Sequence, residues 1–241
     1  MSDPSEVRQR LLPVNTHFPN VSAPENSIVY LEISPEVGVP PVRVYMELFH
    51  NWAPQAAENV RQMCTGEARR GGAKRTQGPA TTFSEASVGY KGTRVYESVP
   101  GREVVVGDVA RGDGTGAAAS IYGEGGSFTV SDVPTITKEK RALLTNTPGI
   151  VRLQPVSPVQ VLEVGSVLNI SVIPPSEMTA HTAEDPWWAT VVGRVVGRGE
   201  DAAKDVRTAL QCLDRTSKVV FRARQASELG SLPAVAGCGE M

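Results

Sequence analysis

The feature that most constrains this chain is a period of two. SIVYLEIS (27–34) and PVRVYMELF (41–49) alternate apolar and polar residues, as strands do when one face is buried and the other is wet. EVGVPP between them reads as a turn. TRVYESV (93–99) and REVVVGD (102–108) are two further strands joined by Pro100-Gly101. GIVRLQP (149–155), GSVLNISVI (165–173), ATVVGRVV (189–196), SKVVFRA (217–223) and SLPAVAG (231–237) extend the series. So many valine-rich strands leave exposed edges unless the sheet closes on itself.

Two segments change period. APQAAENVRQMC (53–64) places Ala56, Val60, Met63 and Cys64 on one helical face. Pro54 suits the first helical turn and Gly66 its end. GEDAAKDVRTALQCL (199–213) predicts a second amphipathic helix, with Glu200 and Asp201 at its positive end. No βαβ alternation occurs. The pattern predicts a mainly β fold, an antiparallel barrel of about eight strands capped by two helices.

The 241 residues suit one domain with an extension. Residues 1–26 hold Pro4, Pro13, Pro19 and Pro24 without periodicity, the mark of an extended or disordered arm. The domain then runs over 27–241, with an enlarged loop at 66–90. A formal net charge of −2 gives no nucleic-acid signal and no polybasic membrane patch. The local cluster EARRGGAKR (67–75) reads as a solvated loop. No apolar run approaches the ~20 residues of a membrane span. The N-terminus has no apolar core for a secretory signal, and Asp3 and Glu6 are uncommon in a mitochondrial presequence. The expectation is a cytoplasmic protein. Cys64, Cys212 and Cys238, like His17, His50 and His181, are too scattered for a metal site, and no cofactor motif is present.

Several motifs, in order, carry a family likeness. YMELFHNWAPQAAENVRQMCTGE (45–67), YKGT (90–93), VPG (99–101), GD (107–108), GTG (114–116), SIYGE (120–124), PGI (148–150), GS (165–166), VVGRVV (191–196) and CGEM (238–241) resemble the cyclophilins from about Val29 to the C-terminus. The resemblance implies an eight-stranded barrel with two capping helices, and cis–trans isomerisation of the peptide bond before proline. That rotation breaks amide resonance, with a barrier of ~20 kcal/mol. In the family an arginine donates hydrogen bonds toward the prolyl nitrogen, apolar rings cup the proline, and a glutamine holds the flanking peptide.

Laid on this chain, the family pattern implies a degenerate groove. The arginine position falls on Glu97, and a carboxylate accepts hydrogen bonds but does not donate them. The apolar pair after the PG turn becomes Arg102 and Glu103. The glutamine becomes Val105, a pocket phenylalanine becomes Asn169, and the histidine position falls on Ala189. The Ala-Asn-Ala segment is not recognisable in LQPVSPVQVLEV (153–164). We therefore expect an inactive isomerase site, in a protein that serves as a binding or structural subunit of a larger cytoskeletal or ribonucleoprotein assembly. The alternative is an active isomerase. Glu97 and Arg102 are expected either to pair across the vacated pocket or to face water separately. Trp187 and Trp188 are candidates for contact with a protein partner, or packing residues. By the same resemblance Cys64 and Cys238 are either a redox-sensitive pair or two unreactive thiols.

Overall fold

The computed structural model describes residues 24–67, 89–112, 119–122, 126–131, 142, 144–157, 159–160, 162–174 and 189–241. The arm up to residue 23, loop positions 68–88, and Trp187 with Trp188 lie outside the described residues.

Alternation becomes burial. Strand β1 (Ser27–Ser34) turns Val29, Leu31 and Ile33 fully inward. It pairs antiparallel with β2 (Val42–Leu48). Strands β3 (Val95–Val99) and β4 (Glu103–Val106) form a hairpin through Pro100-Gly101. Gly101 has φ +70 and the Arg102 N–H donates to the Val99 carbonyl at 2.9 Å. The left-handed position explains the glycine after proline.

A short strand β5 (Phe128–Thr129) pairs with β7 (Glu163–Ser171), while β6 (Ile150–Pro155) and β8 (Val191–Val196) complete the middle of the sheet. The last strand, β9 (Ala234–Glu240), runs along β1. The spatial order is β3-β4-β7-β6-β8-β2-β1-β9, every pairing antiparallel. The sheet curls until its two edges meet. Gly92 N–H donates to Val235 O at 2.8 Å, Val95 N–H to Pro233 O at 2.8 Å, and Arg94 bridges Ala234. Edge closure is the solution the strand content called for.

Helix α1 (Pro54–Thr65) has proline in its first turn and ends on Gly66 in the left-handed region. It buries Ala56, Ala57, Val60, Met63 and Cys64. The fully buried Asn59 ties it to the sheet: its Nδ2 donates to Gly165 O at 3.1 Å, and its Oδ1 accepts from Ile121 N–H at 2.9 Å. Arg61 donates to Glu58 and Glu67 and to Glu240 of β9. Hydrogen bonds from Arg61 are the main reason the Glu58 carboxyl is lowered to about 2.

Helix α2 (Ala202–Gln225) is longer than its sequence suggested. The strand expected at 217–223 is helical. Val219, Val220 and Ala223 continue the buried side begun by Ala209 and Leu213, so burial on a helical period overrides the strand preference of adjacent valines. The closing strand also lies further along, at 234–240 rather than 231–237.

Strands β2 and β8 are buried on both faces where they meet. Arg194, 2% exposed, donates from Nε to Glu47 Oε2 at 3.0 Å, and Asn26 Nδ2 donates to Glu47 Oε1 at 2.9 Å. Burial pushes the Arg194 guanidinium down, and Glu47 opposes that push. The pair is registered directly across β2 and β8. It fixes the register, since a slip would strand a charge.

Candidate functional site

Of the residues expected at the groove, Glu97, Glu103, Val105 and Asn169 lie on one face of β3, β4 and β7, whereas Arg102 sits in the β3–β4 turn and Ala189 just before β8. Glu97 is registered opposite Val105, Val105 opposite Asn169, and Asn169 opposite Arg152. Registered partners point to the same side of a sheet. The opposite face of the same strands carries Val104, Val106, Leu168, Ile170, Val151 and Leu153, all fully buried. Thus the row Glu97–Val105–Asn169–Arg152 forms the outward floor. Glu103, two residues before Val105 and opposite Ser171, shares that side.

One ion pair dominates this floor. Arg152 Nη2 lies 3.2 Å from Glu103 Oε2, with both side chains largely buried. Glu103 stands on β4 and Arg152 on β6, and β7 runs between them. Two strand spacings separate the partners by about 10 Å at the backbone. The pair therefore arches over β7 at Asn169 and Ser171. Asn169, in register with Arg152 beneath this pair, is 6% exposed. Asn169 Oδ1 and Gln154 Oε1 are buried acceptors with no hydrogen-bond donor. Each unmet acceptor costs about 1–3 kcal/mol.

Of the two alternatives for Glu97 and Arg102, the pairing is not found. Glu97 is exposed, and neither it nor Arg102 has an ion-pair partner among the described residues. The backbone gives the reason. Glu97 is in register with Val105, whereas Arg102 sits in the turn beyond the last strand pair, Val99 with Glu103. Arg102 is held there by its main chain, its carbonyl accepting from Val172 N–H at 2.6 Å. The neighbouring Glu103 takes the cation, and it takes Arg152.

Val105 and Ala189 are buried as small apolar groups. Arg152 and Gln154 were not singled out in the sequence. Their signal was available: GIVRLQP alternates, placing both opposite the apolar Val151 and Leu153. What alternation does not give is the neighbour across β7.

Cys64 and Cys238 are free thiols, as is Cys212. Burial is the main cause raising the pKa of each of the three. Cys64 is raised further by Cys238 and Glu240. A raised thiol holds little thiolate, the reactive form, at neutral pH. Among the described residues no cluster of three histidine, cysteine or carboxylate side chains could hold a metal, and no helix is long and apolar enough to cross a membrane.

Comparison with known proteins places this geometry. Residues 33–161 match the profile of the cyclophilin type peptidyl-prolyl cis-trans isomerase/CLD family. Over 100 residues, 42% of this chain, it is 37% identical to peptidyl-prolyl cis-trans isomerase CYP22 of Arabidopsis thaliana, covering 43% of that protein. It is 39% identical over 100 residues to peptidyl-prolyl cis-trans isomerase H of Rhizopus delemar, 41% of this chain and 47% of that one. It is 36% identical over 100 residues to peptidyl-prolyl cis-trans isomerase 11 of Caenorhabditis elegans, 42% of this chain and 46% of that one. The matches span less than half of each relative.

Proposed function

This chain belongs to the cyclophilin-type peptidyl-prolyl isomerase family, and from that premise we propose that its groove binds or scaffolds without isomerising proline at family rates. The observation that carries this reading is the Glu103–Arg152 pair lying over Asn169. Isomerisation in the family needs a free guanidinium facing the prolyl nitrogen and an apolar cup for the ring. Here the position that resembles the family arginine is the exposed Glu97. The cation that does reach the floor, Arg152, is held by a carboxylate. The cup is occupied by a polar roof.

On this reading the protein acts as a binding or structural subunit of a larger assembly, with a protein partner, in the cytoplasm. Purification of the native protein at low salt is expected to recover it in a particle much larger than its 25.7 kDa. A native protein that migrates alone removes the assembly role.

A second reading, an active isomerase, draws on Arg152 as a substitute donor and on the isomerase names of the similar proteins. A protease-coupled assay on an X-Pro peptide separates the two. The loss of one preorganised donor lowers turnover by about 10²–10³, so kcat/KM is expected at least about 100-fold below an active family member. A value within about tenfold of that enzyme overturns the inactive reading. If activity is found, Arg152→Gln identifies the donor by abolishing it.

A further inference from the structure

Helix α2 buries one side and displays the other. Ala209, Leu213 and Val220 face the barrel. At about 100° per residue, Lys204, Arg207, Gln211, Arg215, Lys218 and Arg222 fall within an arc of about 80° opposite that buried side. All six are exposed. From Lys204 to Arg222 the stripe is about 27 Å long. The helix holds six basic residues and two acidic ones, in a chain whose formal net charge is −2. Positive charge is therefore gathered on one line.

The stripe is neutralised toward its middle and open at its ends. Arg215 Nη2 meets Glu36 Oε2 at 2.5 Å, and Lys218 Nζ meets Asp214 Oδ2 at 2.7 Å. Lys204, Arg207 and Arg222 have no carboxylate partner among the described residues. Beside the C-terminal end stands Phe221, 42% exposed.

We propose that this stripe docks an acidic α-helical segment of a protein partner, one whose carboxylates recur three and four residues apart. Two helices share the same pitch, so such carboxylates meet successive cations along the line. The open cations at the two ends receive them, and Phe221 offers an apolar anchor. Insertion into a membrane is disfavoured because the apolar side of α2 is already spent on the barrel. A nucleic-acid backbone is disfavoured because its unbroken run of phosphates must cross the middle of the stripe, where Glu36 and Asp214 already hold Arg215 and Lys218, whereas a helix can present neutral side chains there. The proposal is independent of whether the groove isomerises proline.

The test uses the full chain and fluorescence anisotropy. The probe is a labelled, alanine-rich helical peptide of about twenty residues, with glutamates at three- and four-residue steps in its end turns, neutral residues between them and one leucine anchor. Controls are its scrambled sequence, a polyuridylate of similar length and phosphatidylserine vesicles. The ordered peptide is expected to bind at least about tenfold more tightly than the scrambled one, weakening as salt rises toward about 0.15 M. The triple variant Lys204→Glu/Arg207→Glu/Arg222→Glu is expected to lose about tenfold to a hundredfold in affinity. The neutral variant Lys204→Gln/Arg207→Gln/Arg222→Gln, which removes the attraction without adding repulsion, is expected to lose about threefold to tenfold. Equal binding of the scrambled peptide, tighter binding of polyuridylate or vesicles, or unchanged affinity in both variants overturns the proposal.

Discussion

Strands β4, β6 and β7 present two faces built from alternating residues of the same three segments. The inner face is largely aliphatic: Val104, Val106, Val151, Leu153, Leu168 and Ile170 are fully buried. The outer face carries Glu103, Val105, Arg152, Gln154 and Asn169. Inner positions answer to close packing, where any change of volume is felt. Outer positions answer to whatever occupies the groove. The barrel can therefore keep its family shape while the chemistry on its surface is exchanged.

Substituting one residue on each face tests that difference, and the largest effect belongs inside. Ile170 lies between Val104 and Val151 in the pairing. Ile170→Ala is expected to cost about 2–5 kcal/mol, read from the shift of a urea unfolding curve. A loss below about 1 kcal/mol would show that the inner layer is loosely packed and that the two faces do not differ as argued.

The next effect is on the roof. Arg152→Ala leaves Glu103 largely buried without its partner. Removing one member of a fully buried pair costs about 3–5 kcal/mol, and residual exposure reduces that here to about 2 kcal/mol. The double replacement Glu103→Met/Arg152→Leu is expected to lie within about 1 kcal/mol of the native protein, because desolvation offsets attraction in such pairs. Equal loss in the single and double variants would show that packing of the arginine stem, rather than its charge, holds the roof.

The sequence disclosed these two faces unequally. Alternation in SIVYLEIS placed its strand and the buried side of Val29, Leu31 and Ile33, because period two is a local property. The helix start at Pro54 and its end at Gly66 were equally local. The second half of α2 was misread at SKVVFRA, where β-branched residues suggest a strand and only the packing of Val219 and Val220 decides. Glu97, Glu103, Val105 and Asn169 are groove positions only by the resemblance, and the strand register sets them on one face. Arg152 was missed as the partner of Glu103 because β4 and β6 are joined only through β7, a neighbourhood fixed by strand order. For the same reason the sequence left open whether Arg102 pairs with Glu97, and the turn geometry decides against it.

The smallest effect is the most specific to the groove. Asn169 is the position that the resemblance aligns with an apolar ring, and its Oδ1 is buried without a donor. A buried acceptor lacking its bond has lost its water and gained nothing in exchange. Asn169→Leu keeps the branching and the number of heavy atoms, with a larger volume, and removes that acceptor. It is expected to stabilise the protein by about 1 kcal/mol, seen as a higher urea midpoint at unchanged slope. The sign is the informative part. On the inner face a polar-to-apolar change of this kind would be trivial, whereas here it asks whether the roof over β7 excludes water. Destabilisation would mean either that the larger leucine does not fit beneath Glu103 and Arg152 or that water reaches the floor and meets the Asn169 acceptor, and Asn169→Ala, which adds no volume, separates the two.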